Sequence, residues 1–292
     1  MATAAQWIEG ARPRTLGAAI APVAVGTGVA AAAESFQPVR AVLALIVLLA
    51  AQVGVNYAND YSDGIRGTDD KRVGPVRLVG QGLASPAAVR AAALASLIVS
   101  AIAGLVLVAL TAQWWLLIVG AAALLAAWLY TGGPKPYGYL GLGEVFVFVF
   151  FGVVPVVGTA YVQTLTFSTA AWVASIGVGA LICAILVANN LRDIPTDAAV
   201  GKRTLAVRMG DRPTRVLYVA LVVSAFVVIV PLATLLGLGL AWLGMLAALL
   251  AIRPVAAVSR GVTGGALVAV LKGTGLVVLA YGLLLGLGIG LS

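Results

Sequence analysis

The sequence contains no histidine and a single cysteine, Cys183. Without histidine, the usual zinc sites and histidine-based catalytic triads have nothing to stand on. One cysteine excludes a disulfide framework, and Cys183, set within an apolar run, reads as a small packing residue. Charge is scarce as well: 10% of the 292 residues are charged against 62% hydrophobic, and the mean hydropathy is +1.10. That is beyond what a soluble globular domain carries. The alternation of a transmembrane barrel is also missing, since the apolar residues come in continuous runs. A hydrocarbon core of about 30 Å needs roughly 20 apolar residues per helix. Such runs lie near 15–33, 39–59, 88–110, 113–131, 143–163, 169–190, 214–236, 238–252 and 266–290. They predict an all-α integral membrane protein of nine transmembrane helices, with Pro231 and a Gly-rich stretch blurring the boundary between the seventh and eighth. The first run follows Arg12 and Arg14. It is longer than the apolar core of a signal peptide, about 7–15 residues, and is expected to stay as a span.

With nine spans, most of the cations fall on one side, from Arg12 and Arg14 through Arg66, Arg90, Lys135 and Arg192 to Arg260, and Arg40 opposes them. The positive-inside rule makes that side cytoplasmic, with the N-terminus inside, in a cell-membrane protein. The net charge of +8 is then topological, and a nucleic-acid role has no support. Acidic residues contribute little to topology, yet those from Asp60 to Asp211 share the arginine-rich face. They gather in two similar stretches, "NYANDYSDGIRGTDD" (56–70) closing the second span and "NNLRDIPTDAAVGKRT" from Asn189 closing the sixth. This hints at duplication within one transmembrane domain covering 1–292, with helices one to four and five to eight as halves, a ninth appended, and cap loops at about 60–87 and 191–213. Such repeats commonly place a site at their interface.

Helical spacing puts Asn56, Asn59, Asp60 and Asp63 on one stripe, and Asn189, Asp193 and Asp197 on another, although Pro195 is expected to break or kink the second helix before Asp197. Facing clusters of this kind repel by roughly 4 kcal/mol per pair at about 4 Å and an effective dielectric near 20. Magnesium, with manganese as a possible substitute, relieves that repulsion by taking hard oxygen ligands and bridging them to a phosphate. Arg66, Lys71, Arg72 and Arg77 in one loop, and Lys202 and Arg203 in the other, are placed to hold the remaining phosphate oxygens. Caps and interfacial anchors are the structural alternative for such residues, evenly balanced for Asp70 and Asp211. Lys272 is equally divided between snorkelling to the interface and reaching a cavity.

At these residues the chain resembles the UbiA superfamily of intramembrane prenyltransferases. Asn59-x-x-x-Asp63 matches its Asn-x-x-x-Asp motif after the second helix, and Asp193-x-x-x-Asp197 its Asp-x-x-x-Asp motif after the sixth; the likeness spans nearly the whole chain. "GPVR" (Gly74 to Arg77), "NNLRD", "GKRTLAVRMG" (Gly201 to Gly210) and the opening "ARPRTLGAAIAPVAVG" are most similar to the branch that prenylates 1,4-dihydroxy-2-naphthoate for menaquinone. Pro195 departs from that pattern. The resemblance implies a cavity open laterally to membrane lipid, in which a polyprenyl diphosphate ionises and its allylic cation is captured by the acceptor ring with loss of carbon dioxide. It implies catalytic roles for Asn59, Asp60, Asp63, Asp69, Asp193 and Asp197, with the five carboxylates as metal ligands. Substrate contacts are implied for Asn56, Arg66, Lys71, Arg72, Arg77, Tyr130, Lys135, Asn189, Asn190, Lys202 and Arg203. Tyr57, Tyr61 and Tyr130 are candidates to face the cation, the loop 130–144 to border the acceptor, and Arg77, Lys135 or Lys272 to hold its carboxylate. Prenylation of 4-hydroxybenzoate or homogentisate, and a secondary transporter, are the rival readings.

Overall fold

A computed structural model describes residues 2–67 and 76–292, and these form helices and connecting turns without a strand. Asp69, Asp70, Lys71 and Arg72 lie outside the described residues. In chain order the helices are α1 (Ala4–Gly10), α2 (Gly17–Ala32), α3 (Pro38–Ile65), α4 (Pro86–Thr111) and α5 (Leu116–Leu129). They continue with α6 (Gly143–Thr164), α7 (Thr169–Ala199), α8 (Asp211–Thr234), α9 (Gly239–Ser259) and α10 (Gly264–Gly290).

The starts of several helices follow from sequence. Pro38 opens α3, where its missing N–H leaves no bond unmade, and Ser85 caps α4 by accepting from the Ala88 N–H at 3.3 Å, with Pro86 next in the first turn. The expected nine crossings meet a graded set. Among the described residues seven helices are long and apolar enough to cross a membrane; the segments Ala4–Thr15 and Gly17–Ala32, bent by 46°, make an eighth if taken as one. The remaining helix, α5, is shorter: at 1.5 Å per residue it spans about 21 Å, less than a hydrocarbon core of about 30 Å.

Two boundaries differ from expectation in a way that matters for the site. The helix α3 runs on to Ile65 and α7 to Ala199, past the expected spans and into the expected cap loops, so the polar stripes ride on the last helical turns. Pro195 sits inside α7 and does not end it. Proline removes one intrahelical bond, and so close to the C-terminus few further bonds depend on it. Asp193 and Asp197 therefore share one helical face.

The bundle closes around α7, whose Ala180, Leu181, Ala184, Val187 and Ala188 are buried against α2, α6, α8 and α10. Where α2 meets α10 the backbones touch. A Cβ on Gly28 would lie 2.1 Å from the Gly286 carbonyl oxygen, and one on Gly282 would lie 2.3 Å from the Ala21 Cβ. Small residues in a four-residue register permit this approach, which replaces the hydrophobic driving force absent between helices in lipid. On the opposite flank α3, α4, α5, α6 and α7 do not close up. With the N-terminal segment and α10 they enclose a cavity of about 830 Å³, beside a π-helical turn, Phe148–Val153, that turns Phe150 and Phe151 into it.

Candidate active site

The cavity has a polar end and an apolar length. Asn56, Asn59 and Asp63 from α3, and Asn189, Asn190 and Arg192 from α7, line the polar end with Arg12, Arg77 and Lys202. Val47, Leu48, Leu105, Val108, Leu124 and Phe150 are among the residues of the apolar length.

The stripe on α3 divides. Asn59 and Asp63 look into the cavity, whereas Asp60 is one helical step around and faces the chain that follows the undescribed residues. Its two oxygens accept the N–H groups of Leu78 at 2.7 Å and Val79 at 3.1 Å. In this structure Asp60 anchors a backbone segment, which seats Arg77, buried, at the cavity wall. Asn56 is engaged on the N-terminal side. Its Nδ2 donates to the Ala11 carbonyl at 2.9 Å and to Thr15 Oγ1 at 3.2 Å, and Thr15 Oγ1 donates to the Arg12 carbonyl at 2.9 Å. These bonds fix the turn in which Arg12 takes a left-handed φ of 56°. Such a conformation costs a non-glycine residue on the order of 1–3 kcal/mol. Its effect is to bring Arg12 to the polar end. Asn59 Oδ1 accepts from Thr131 Oγ1 at 2.8 Å, which orients the amide.

The two halves of the site meet at Tyr139. Its hydroxyl donates to Asp63 Oδ1 at 2.6 Å, the Arg66 guanidinium lies 5.5 Å and the Lys202 ammonium 4.8 Å from its ring centroid, and its carbonyl accepts the Arg203 N–H at 3.1 Å. Arg66 is exposed and donates to the carbonyls of Thr131 and of Gly133, the latter at 2.5 Å. The loop 130–144 is thereby tied to both carboxylate-bearing helices.

On α7, Arg192 grips its own neighbour. Nε donates to Asp193 Oδ1 at 2.7 Å and Nη2 to Oδ2 at 2.8 Å, and Nη2 also donates to Asn189 Oδ1 at 2.8 Å. Nη1 is buried and has no hydrogen-bond partner among the described residues. A buried guanidinium N–H left unmatched at a cavity wall is a donor awaiting an anion. Asp197 Oδ1 lies 3.7 Å from Lys202 Nζ. Behind the wall, Asn190 Nδ2 donates to Glu144 Oε1 at 3.0 Å, so the Asn190 amide is held by a buried carboxylate.

The remaining expectations sort by place. Tyr130 lines the cavity with Tyr137, their rings edge to face at 5.5 Å, and Tyr137 stacks on Phe146 at 4.0 Å. Burial raises the Tyr137 phenol above its ordinary value, and its hydroxyl donates to the Ala126 carbonyl at 2.7 Å. Tyr57 instead donates to the Trp7 carbonyl at 2.8 Å, and Tyr61 stacks near Trp128 with Arg90 over its ring; neither lines the cavity. Lys135 and Arg203 are exposed and away from the cavity wall, whereas Lys272 is exposed at its edge. Asp211 pairs with Arg215 at 2.6 Å, one turn along α8, a structural contact.

Sequence reasoning missed Arg12 as a cavity residue, Arg192, Tyr139 and Glu144. Arg192 was legible only as a topological charge, although a basic residue directly before a motif aspartate is a signal that could have singled it out.

Among the described residues no three carboxylates converge as a ready metal site. The donor chemistry nevertheless suits a hard divalent cation: Asp63, Asp193 and Asp197 with the carbonyl oxygens of Asn59 and Asn189 form an oxygen-only set, split between two helices. These residues would hold such an ion, with water or substrate oxygens free to fill the rest of its shell.

The chain is similar to known proteins. The model of the UbiA prenyltransferase family matches residues 19–265. The chain is 55% identical to the 1,4-dihydroxy-2-naphthoate octaprenyltransferase of Mycobacterium tuberculosis, over 97% of this chain and 96% of that one. With the Escherichia coli enzyme of the same name the identity is 37%, over 98% and 95%. Among solved structures, a UbiA homolog from Aeropyrum pernix superposes with a TM-score of 0.70 at 17% identity, covering 93% of this chain and 96% of that one. One from Archaeoglobus fulgidus, bound to DMAPP and Mg2+, gives 0.62 at 14%, covering 96% and 99%. At such identities the structures bear on the fold.

Proposed function

This chain belongs to the UbiA prenyltransferase family, and on that premise we propose that it transfers a polyprenyl group from an allylic diphosphate to 1,4-dihydroxy-2-naphthoate. Carbon dioxide and diphosphate leave, and the product is demethylmenaquinone in its quinol form. The observation that carries this reading is the division of one cavity into a cationic, carboxylate-edged end and a long apolar remainder, in a chain identical at 55% of aligned positions to an enzyme of that name.

The step balances without an added oxidant or proton. The allylic C–O bond breaks with its electron pair going to the diphosphate, the ring carbon bearing the carboxylate bonds to the allylic carbon, and the carboxylate departs as carbon dioxide, returning its pair to the ring. Arg192 Nη1, with Arg12, Arg77 and Lys202, is placed to hold the diphosphate as charge builds on it, and fixed donors are most effective where the charge develops. A bound magnesium ion, with manganese as a substitute, supplies further neutralisation of that leaving group. Asp63, Asp193 and Asp197, aided by Asn59 and Asn189, would hold it, while Asp60 serves by seating Arg77. The Tyr130 ring at the cavity wall suits an allylic cation, and the apolar lining withholds the water that would quench it. Lys272, at the cavity edge, is better placed than Lys135 for the acceptor carboxylate. The cation-rich end faces the cytoplasm of a cell membrane by the positive-inside rule. The matched pairs Asn59/Asp63 on α3 and Asp193/Asp197 on α7 fit two pseudo-repeats with α10 appended.

Acceptor carrying carbon-14 in its carboxyl group tests the reaction. With magnesium present, label should leave as gas and the prenylated product should be unlabelled; EDTA should stop turnover and added magnesium restore it. Label kept in the product refutes decarboxylative capture, and efficient prenylation of 4-hydroxybenzoate in its place reassigns the acceptor.

A further inference from the structure

Two glycines in the cavity wall have no packing reason to be glycine. Gly28 and Gly282 must lack a side chain because a Cβ would strike the opposite backbone or side chain at 2.1 and 2.3 Å. At Gly104 of α4, by contrast, a Cβ would meet Val47 Cγ2 only at 4.0 Å, and at Gly120 of α5 it would meet nothing within 4 Å. Neither has a φ that demands glycine. Glycine inside a helix is less stable than alanine, because it gives up more backbone freedom on folding. Both residues line the cavity, so what each contributes there is empty space.

They also lie at one level. Gly120 is about 14 Å along α5 from its last residue, Leu129, two positions before Thr131, and Val47, the neighbour of Gly104, is about 18 Å along α3 from Asn59, at 1.5 Å per residue. Thr131 and Asn59 are hydrogen-bonded to each other at the polar end, so both paths start from the same point. An isoprene unit contributes four bonds to the chain, and at about 1.5 Å per bond in zigzag it extends about 5 Å. A tail running from the polar end reaches the glycines at about its fourth unit. An eight-unit tail, about 40 Å extended, is longer than a hydrocarbon core of about 30 Å and must turn or leave the cavity.

We propose, taking the cavity as a polyprenyl diphosphate site as above, that Gly104 and Gly120 form a side-chain-free gate through which the donor tail passes beyond its fourth isoprene unit, and that this gate makes the protein an acceptor of long-chain donors. Donors of two or three units stop short of it.

The experiment compares kcat/KM for allylic diphosphates of two, three, four and eight units in the purified protein and in Gly104→Phe, Gly120→Phe and Gly158→Phe. Gly158 is equally open to a Cβ but does not line the cavity, so it controls for added bulk. The expected result is a loss of about tenfold or more for the eight-unit donor in both gate variants, with two- and three-unit donors changed by less than about threefold and the control unchanged. The two-unit rate in each preparation reports that the variant is folded, and Gly104→Leu gives an intermediate size on the same scale. Retention of eight-unit turnover in both gate variants overturns the gate. So does equal loss with every donor while Gly158→Phe stays active. A wild-type protein inert towards all four donors overturns the prenyltransfer reading itself, an outcome distinct from either.

Discussion

Arg192 and Asp193 are both buried and bonded to each other, so removing Asp193 takes from the buried Arg192 guanidinium its carboxylate partner. Breaking a buried ion pair in that way costs about 3–5 kcal/mol. Asp193→Ala should therefore lose thermal stability as well as activity, whereas Asp193→Ala combined with Arg192→Met should regain stability and stay inactive. Thermal unfolding in detergent beside a turnover assay separates the two effects; a stable but inactive single variant would show that Asp193 serves the chemistry alone. The acidic half of this pair was legible because carboxylates at helical spacing in a charge-poor chain require compensation. Its partner was not, because an arginine near a membrane face has a sufficient topological explanation. Tyr139 was less legible still: its bond to Asp63 joins residues 76 positions apart, and no local spacing encodes that.

The contact between α2 and α10 and the open wall of α4 predict opposite responses to the same chemical change. Gly28→Ala places a methyl group 2.1 Å from the Gly286 oxygen and should destabilise the fold by roughly 1–3 kcal/mol or more, as overpacking does. Gly104→Ala adds the same group to open space and should raise stability by about 0.5–1 kcal/mol. Unfolding midpoints of the two variants in one detergent check the pair, and a Gly104→Ala midpoint below that of the parent would count against its open surroundings. At this scale the sequence announced where helices lie, because apolar runs of membrane length leave few alternatives. It did not announce where α3 and α7 end. The polar stripes read from helical spacing carry the helices beyond the apolar runs and into the stretches expected as cap loops, since their backbone bonds are made within the helix and their side chains are satisfied by Leu78, Val79, Thr131 and Arg192. Pro195 misled for a related reason, because near a C-terminus a proline disturbs few bonds.

Across the molecule, membrane character and the sidedness of charge follow from composition, whereas the cavity does not. Residues such as Leu105 and Val108 that face it are as apolar as those that face lipid, so periodicity cannot tell the two surfaces apart. The packing of α3 to α7 with the N-terminal segment and α10 makes a cavity there. The short helix α5 has a consequence reaching into the surrounding membrane. Preceded by the exposed Trp114 and Trp115, whose rings favour the headgroup level, α5 spans about 21 Å and presents a hydrophobic mismatch to an ordinary bilayer. Lipid around it must thin, or the helix must shift, at a fraction of a kcal/mol per Å. Since α5 carries Gly120, bilayer thickness bears on the shape of the cavity wall. Reconstituted into lipids of increasing acyl length, the protein should lose turnover with long donors in thick bilayers before short ones, and a rate independent of acyl length would show that α5 is held by its neighbours alone.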